Sequence, residues 1–291
     1  MQIAALAIGV GVPADNFAGR VVEIHARAAL IKLTAGGCIT LLGRELGRQP
    51  RGVSFDLPEN ISLQQLLSAN AECAKRGGIV RFSDSAFGID LRGAPQWRSG
   101  IAALNFDCRS VTVARAYRTV RLALAHDGRS RELSHVAGAK LDELGQSIRT
   151  RDPSAAERVI GALVGLGEGK TPAGDDYLVG VFAALWSCST TRAFAAALAP
   201  VLITSAGRTS DLSSLYLREA ANGEVSERLA DVAAGICAGG SEEVVGNAVT
   251  KALAVGHSSG AAGIFGLLNG YSAGAEAPFQ ATADSMLAPA F

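Results

Sequence analysis

Charge is scarce in this sequence. Only 19% of its 291 residues are charged, and 27 basic side chains cancel 27 acidic ones, against about 25% charged residues in an average soluble chain. A zero balance leaves no global field for nucleic acid or an anionic membrane surface. Cysteine is sparse too. Five residues, Cys38, Cys73, Cys108, Cys188 and Cys237, lie far apart with no C-x-x-C pair. That spacing excludes a disulfide framework and a zinc knuckle, and suits a reduced, cytoplasmic protein. Long apolar runs are missing: the longest clean one, Tyr177 to Trp186, falls far short of the roughly 20 residues a membrane span needs. The apolar start, Met1 to Val12, has no basic n-region and reads as a first strand rather than a signal peptide. With 48% hydrophobic residues, the chain is folded rather than disordered.

The neutral total hides an asymmetry. Up to residue 150 there are 19 basic and 13 acidic residues; beyond it there are 8 and 14. Secondary-structure signals change along the chain as well. The stretch up to about residue 108 reads as mostly strand, with β-branched and aliphatic alternation over Arg20–Leu33. A Gly36-Gly37 turn follows, then short runs at 38–42, 52–57 and 78–82, and Ile89 and Leu91 suggest another. One helix is expected to interrupt them. Ser62 is its N-cap, Leu63, Leu66, Leu67 and Ala71 form its face, and Gly77-Gly78 is its stop. From about Arg109 the period becomes helical. Stripes run through Val111–Leu124 and Leu141–Ile148, and Pro153 opens a third. Further helices are expected at 174–188, 192–206, 211–222, 226–238, 241–255 and 260–270, before an irregular Ala/Pro-rich tail over 275–291. The expected architecture is α+β: a β-rich domain, 1–108, followed by an α-helical domain, 109–291.

Three polar, glycine-containing helix starts carry the chemical signal. The first is Gly165-Leu166-Gly167-Glu168-Gly169-Lys170-Thr171-Pro172-Ala173-Gly174-Asp175-Asp176. Its alternating glycines allow positive φ and close approach of the backbone to a ligand. Thr171 can cap, Pro172 suits the first helical position, and the acids sit at the positive end of the helix dipole. Ordinary helix initiation explains the Thr-Pro start and the acids, but not the glycine density or the adjacent lysine. The block is a near miss to a P-loop rather than a Walker motif, because the pattern's first glycine falls on Val164 and Pro172 removes an amide donor. The second start is Gly207-Arg208-Thr209-Ser210-Asp211, and the third is Gly256-His257-Ser258-Ser259-Gly260. Hydroxyls and free amides at such starts form anion-binding arrangements, and together the starts predict helix ends converging on one pocket. Asp175 and Asp176 are candidate Mg²⁺ ligands; adjacent helical residues point about 100° apart, so one can face the pocket while the other caps. Of the four histidines only His257 lies in a candidate site, as a proton donor or anion contact or as a structural residue. No G-x-S-x-G elbow or H-E-x-x-H is present.

The first block, with Thr209-Ser210…Ser213…Leu217-x-x-Ala220-x-x-Gly223-Glu224 and Gly256–Gly260, resembles a bacterial domain-of-unknown-function family. That family includes the third subunit of the oxamate carbamoyltransferase of anaerobic allantoin degradation. Two features depart from its pattern. Lys170 stands where the family usually has an apolar residue, and Ala261-Ala262 stand where it often has Trp-Asp. A phosphate role for Lys170 is therefore not inherited, and neither is a carboxylate in the third block. The resemblance implies participation in carbamoyl transfer between carbamoyl phosphate and oxamate, within a complex of unlike subunits.

Three readings follow. As a carbamoyltransferase subunit, the chain would bind a small anionic substrate, phosphate or carboxylate, with Gly165, Gly167, Gly169, Lys170, Thr171, Gly174, Thr209, Ser210, Ser258, Ser259 and Gly260. Asp175, Asp176 and His257 would then be catalytic, and Mg²⁺ the candidate cofactor. As a binding module it would hold a small anion or nucleotide without chemistry. As an assembly protein it would dock partner subunits through a helical face.

Overall fold

The structure, a computed structural model, describes residues 1–275. It is α+β and forms two compact units, Met1–Ser99 and a second that begins at Gly100. Most of the tail expected to be irregular, 276–291, lies outside the described residues.

In the first unit β1 (Gln2–Gly9), β2 (Phe17–Ile24), β3 (Ala28–Leu33), β4 (Cys38–Gly43) and β5 (Gly52–Phe55) precede a one-turn helix, α1 (Leu63–Leu66). Then come β6 (Glu72–Arg76), β7 (Ile79–Phe82), β8 (Ser85–Asp90) and the short β9 (Gln96–Trp97). The sheet order is β5-β4-β3-β2-β6-β7-β8-β1-β9, and β1 also pairs antiparallel with β5. Strands β1 to β8 therefore close into a barrel, which removes the open edges that invite mispairing. Inside it Val21, Ile31, Ile39, Leu41, Val53, Phe55, Val80 and Ile89 have no accessible surface, and Phe82 stacks on Phe87 at 5.8 Å.

Two expectations in this unit are corrected. Arg20–Leu33 is not one strand but parts of β2 and β3, whose turn is closed by the His25 amide donating to Ala28 O at 2.7 Å. The helix expected to run through Ala71 stops at Leu66. Its capping box forms, with the Ser62 amide donating to Gln65 Oε1 at 2.8 Å. Yet Leu67 is extended and Asn70 has φ +69°. Residues 72–76 instead pair with β2 on one side and β7 on the other. A single helical turn cannot compete with two ladders of sheet hydrogen bonds. Gly77-Gly78, with φ +55° and +79°, is the β6–β7 hairpin turn rather than a helix stop.

The second unit holds α2 (Val111–Asp127), α3 (Arg131–Thr150), α4 (Pro153–Leu163), α5 (Ala173–Trp186), α6 (Arg192–Ser205), α7 (Asp211–Ala221), α8 (Glu227–Cys237), α9 (Glu242–Leu253) and α10 (Ser259–Gly274). Side-chain caps start several of them: Asp152 Oδ1 accepts from the amides of Ser154 and Ala155, each at 3.0 Å, ahead of Pro153. The apolar run Tyr177–Trp186 lies within α5, whose residues are buried nearly all round. Helices α5 and α10 pack backbone to backbone. A Cβ on Gly180 would lie 1.9 Å from Gly263 O, and one on Gly266 1.9 Å from Tyr177 O. Only glycine permits that approach. Among the described residues no helix is long and apolar enough to cross a membrane.

Candidate functional site

The first turns of α5, α7 and α10 meet, and Asp175 is the residue that ties two of them together. It is 1% exposed. Its Oδ1 accepts from the Gly165 amide at 2.8 Å, and its Oδ2 accepts from Thr209 Oγ1 and from Ser213 Oγ, both at 2.6 Å. A carboxylate holding a backbone amide and two hydroxyls this tightly is a clamp: it pins the start of the glycine loop to the start of α7. Both of its oxygens are used. Ser210 adds a second tie, since its hydroxyl donates to Lys170 O while its Oγ caps α7 by accepting from the Ser213 amide at 3.1 Å.

The α10 start joins through Thr171 and Ser259, whose hydroxyls lie 2.7 Å apart. Both also hydrogen-bond the Asp176 side chain. Asp176 is 9% exposed, and its Oδ2 is buried with no hydrogen-bond partner. Burial, reinforced by the neighbouring Asp175 charge and opposed by the Ser259 and Thr171 hydroxyls, pushes its carboxyl up to about 7. The two adjacent acids thus have opposite surroundings: one is saturated with donors, the other is left short of them.

Backbone shape explains the glycines. Gly165, Gly167 and Gly169 have φ of +79°, +114° and +89°, a region that other residues rarely adopt. Gly174 is needed for space, because a Cβ there would sit 2.3 Å from Leu163 O. Gly260 is needed likewise, with Ala252 O 1.9 Å from the corresponding point. Among the described residues the amides of Gly167, Glu168 and Gly169 donate to no backbone carbonyl, and these residues and Lys170 are exposed.

The remaining expected site residues lie differently. Ser258 precedes α10 without a side-chain cap bond. His257 is exposed, and its bond to the rest of the unit runs through its carbonyl, which accepts from Arg129 Nη1 at 2.7 Å. Arg129 also donates to Leu253 O at 2.9 Å and pairs with Asp127 at 2.6 Å, so it fixes the loop between α9 and α10. Arg129 and Ser213 were not among the expected site residues. Ser213 had a signal, standing three residues after a capping Ser210; Arg129, far away in sequence, had none. No group of three or more His, Cys, Asp or Glu side chains able to hold a metal occurs among the described residues. With Asp175 saturated, Asp176 is left with the one unengaged carboxylate oxygen of the expected Mg²⁺ pair.

The shift of Asp176 has a consequence for stability. A carboxyl whose folded pKa is raised to about 7 from an ordinary 3.8 holds its proton in the folded state while the unfolded state has lost it. Stability is therefore full below about pH 4 and falls as pH rises from about 4 to 7, by on the order of 4 kcal/mol. Asp176→Asn is expected to flatten that slope and to be more stable than the parent at pH 8. Urea midpoints at several pH values test this; a parent slope retained by the variant would place the titration elsewhere.

Residues 163–271 match the family model described as oxamate carbamoyltransferase subunit AllH. The matched span contains all three helix starts, and the barrel lies outside it. No curated protein and no solved structure matches the chain.

Proposed function

With the match of residues 163–271 to the AllH family model as premise, we propose that the chain is a cytoplasmic subunit of a carbamoyltransferase-type enzyme that acts with other protein subunits. Its site for a small anionic substrate is the junction of the starts of α5, α7 and α10. The observation that carries this reading is the double tie, Asp175 to Gly165, Thr209 and Ser213, and Thr171 to Ser259. Those ties gather into one place the helix starts that the match spans.

In this reading the amides of Gly167, Glu168 and Gly169 and the Lys170 side chain take the phosphate of carbamoyl phosphate, as amides at helix starts do for anions. Thr171 and Ser259 orient the carbamoyl group. The oxamate amide nitrogen attacks the carbamoyl carbon, the bond from that carbon to the phosphate oxygen breaks, and phosphate leaves with the bonding pair. The nitrogen must lose a proton, and Asp176, with a pKa near 7, is matched to accept it. Donors fixed before substrate arrives stabilise the charge that develops on the carbonyl and the departing phosphate. Asp175 keeps the loop in shape rather than touching substrate. Of the expected Mg²⁺ pair only Asp176 Oδ2 is unengaged, and this reading uses that oxygen as the proton acceptor, so it routes no step through Mg²⁺.

The test is a thermal-shift series on the purified chain with carbamoyl phosphate, phosphate, oxamate and ATP, with and without Mg²⁺, followed by turnover assays alone and with partner subunits. Stabilisation by carbamoyl phosphate or phosphate, with turnover only in the complex, is expected. No stabilisation by any anion sinks the site. Stabilisation without product in the complex leaves a binding module.

A further inference from the structure

The barrel holds a buried cation that nothing above uses. Lys75 lies on the inward phase of β6, where burial alternates along Glu72–Arg76, and it is only 9% exposed. Its ammonium donates to Pro13 O at 3.1 Å and to Ala14 O at 2.6 Å, and sits 5.8 Å from the centre of the Phe17 ring. It makes no ion pair among the described residues. Lysine is almost never buried without a paired charge, because two carbonyl dipoles and a ring face do not replace its water. Lys75 also lines a cleft of about 300 Å³ together with Asn16, Arg92 and Gln96, and no acidic side chain is among the residues of that cleft. Arg92 is already engaged with Asp90 at 2.7 Å, so the uncompensated charge is that of Lys75.

We propose that this cleft is a binding site for a small oxyanion, a carboxylate or phosphate, whose charge completes the coordination of the Lys75 ammonium. Asn16 and Gln96 supply neutral amide donors around it, and the size sits at the lower end of ligand pockets. The site belongs to the barrel unit and does not rest on the helical one.

The chain has five lysines, few enough for lysine side-chain signals to be resolved in a full-length sample with labelled lysine Cε. Lys75 is identified by its absence in Lys75→Arg, or, should that variant fail to fold, by its cross-peaks to the Phe17 ring. Sodium phosphate and sodium oxamate are titrated separately, with sodium chloride as the control. A saturable shift of the Lys75 signal at millimolar or lower concentration by one oxyanion and not by chloride supports the site, and which salt saturates tells phosphate from carboxylate. In that case Lys75→Met should weaken binding to the barrel at least about tenfold, while Asp175→Asn, in the other unit, leaves the shift intact. A Lys75 signal that does not move, or moves linearly and equally with all three salts, overturns the proposal.

Discussion

Replacing Asp175 by alanine should cost about 3–5 kcal/mol of stability, since it strips three donors of one buried acceptor group. The Gly165 amide and the Thr209 and Ser213 hydroxyls all point at this carboxylate, at 2.6 to 2.8 Å. Ser213 is 1% exposed and cannot turn to water without local opening. Asp175→Asn keeps an acceptor for the Gly165 amide and offers the hydroxyls a donor instead, so its loss should be smaller, about 1–2 kcal/mol. Urea unfolding followed by circular dichroism gives both values. Anion stabilisation should be lost in the alanine variant even at temperatures where it remains folded, because the glycine loop is then no longer held to α7. An alanine variant with the parent's midpoint and the parent's anion response would mean that the clamp holds nothing.

Gly180→Ala is expected to have a comparable effect through an unrelated cause. Its Cβ would be placed 1.9 Å from Gly263 O and 2.7 Å from the Leu267 amide. Both are backbone atoms that no side-chain rotation can move away, so α5 and α10 must separate. Overpacking of this kind costs about 3 kcal/mol. Because Asp176 stands in the first turn of α5 and Ser259 opens α10, the separation should also pull apart the Thr171–Ser259 contact and weaken anion binding. The control is Gly138→Ala in α3, where a Cβ meets nothing within 4 Å; there helix propensity alone acts and should raise stability by up to about 1 kcal/mol. Equal melting temperatures for the Gly180 and Gly138 variants would rule out the close helix packing as the cause.

The helical half was far more legible in the sequence than the barrel. The expected helix at 211–222 is α7 at Asp211–Ala221, and the one at 226–238 is α8 at Glu227–Cys237. Each is bracketed by local signals, a capping serine in front and a glycine or polar turn behind, and each buries an apolar stripe at helical spacing. Strands lack such self-contained marks. Residues 72–76 have a composition that suits either state, and their fate is settled by β2 and β7, partners more than 40 residues upstream in one case and adjacent in the other. The closure of the barrel through β1 and β5 is a long-range pairing with no local trace at all.

The candidate site divides along the same line. Glycine spacing and the clustered hydroxyls marked out the three helix starts from the sequence alone, because backbone geometry is a local requirement. The capping differs from the expectation: Pro172 rather than Thr171 is the N-cap of α5, with no side-chain cap bond, and of the three starts only that of α7 has a side-chain cap, Ser210. What the sequence could not decide was which acid does what. Asp175 and Asp176 are identical neighbours on one helix turn, and only the packing of α7 and α10 surrounds the first with donors while leaving one oxygen of the second without any. The same holds for the scarcity of charge. Composition shows only that basic and acidic side chains balance. Which of these few acidic and basic side chains are buried is decided by the tertiary structure, and among the described residues they are Asp175, Asp176 and, in the barrel, Lys75. A charge acquires its energy from the water it has lost, and how much water it loses is decided by neighbours distant in the chain.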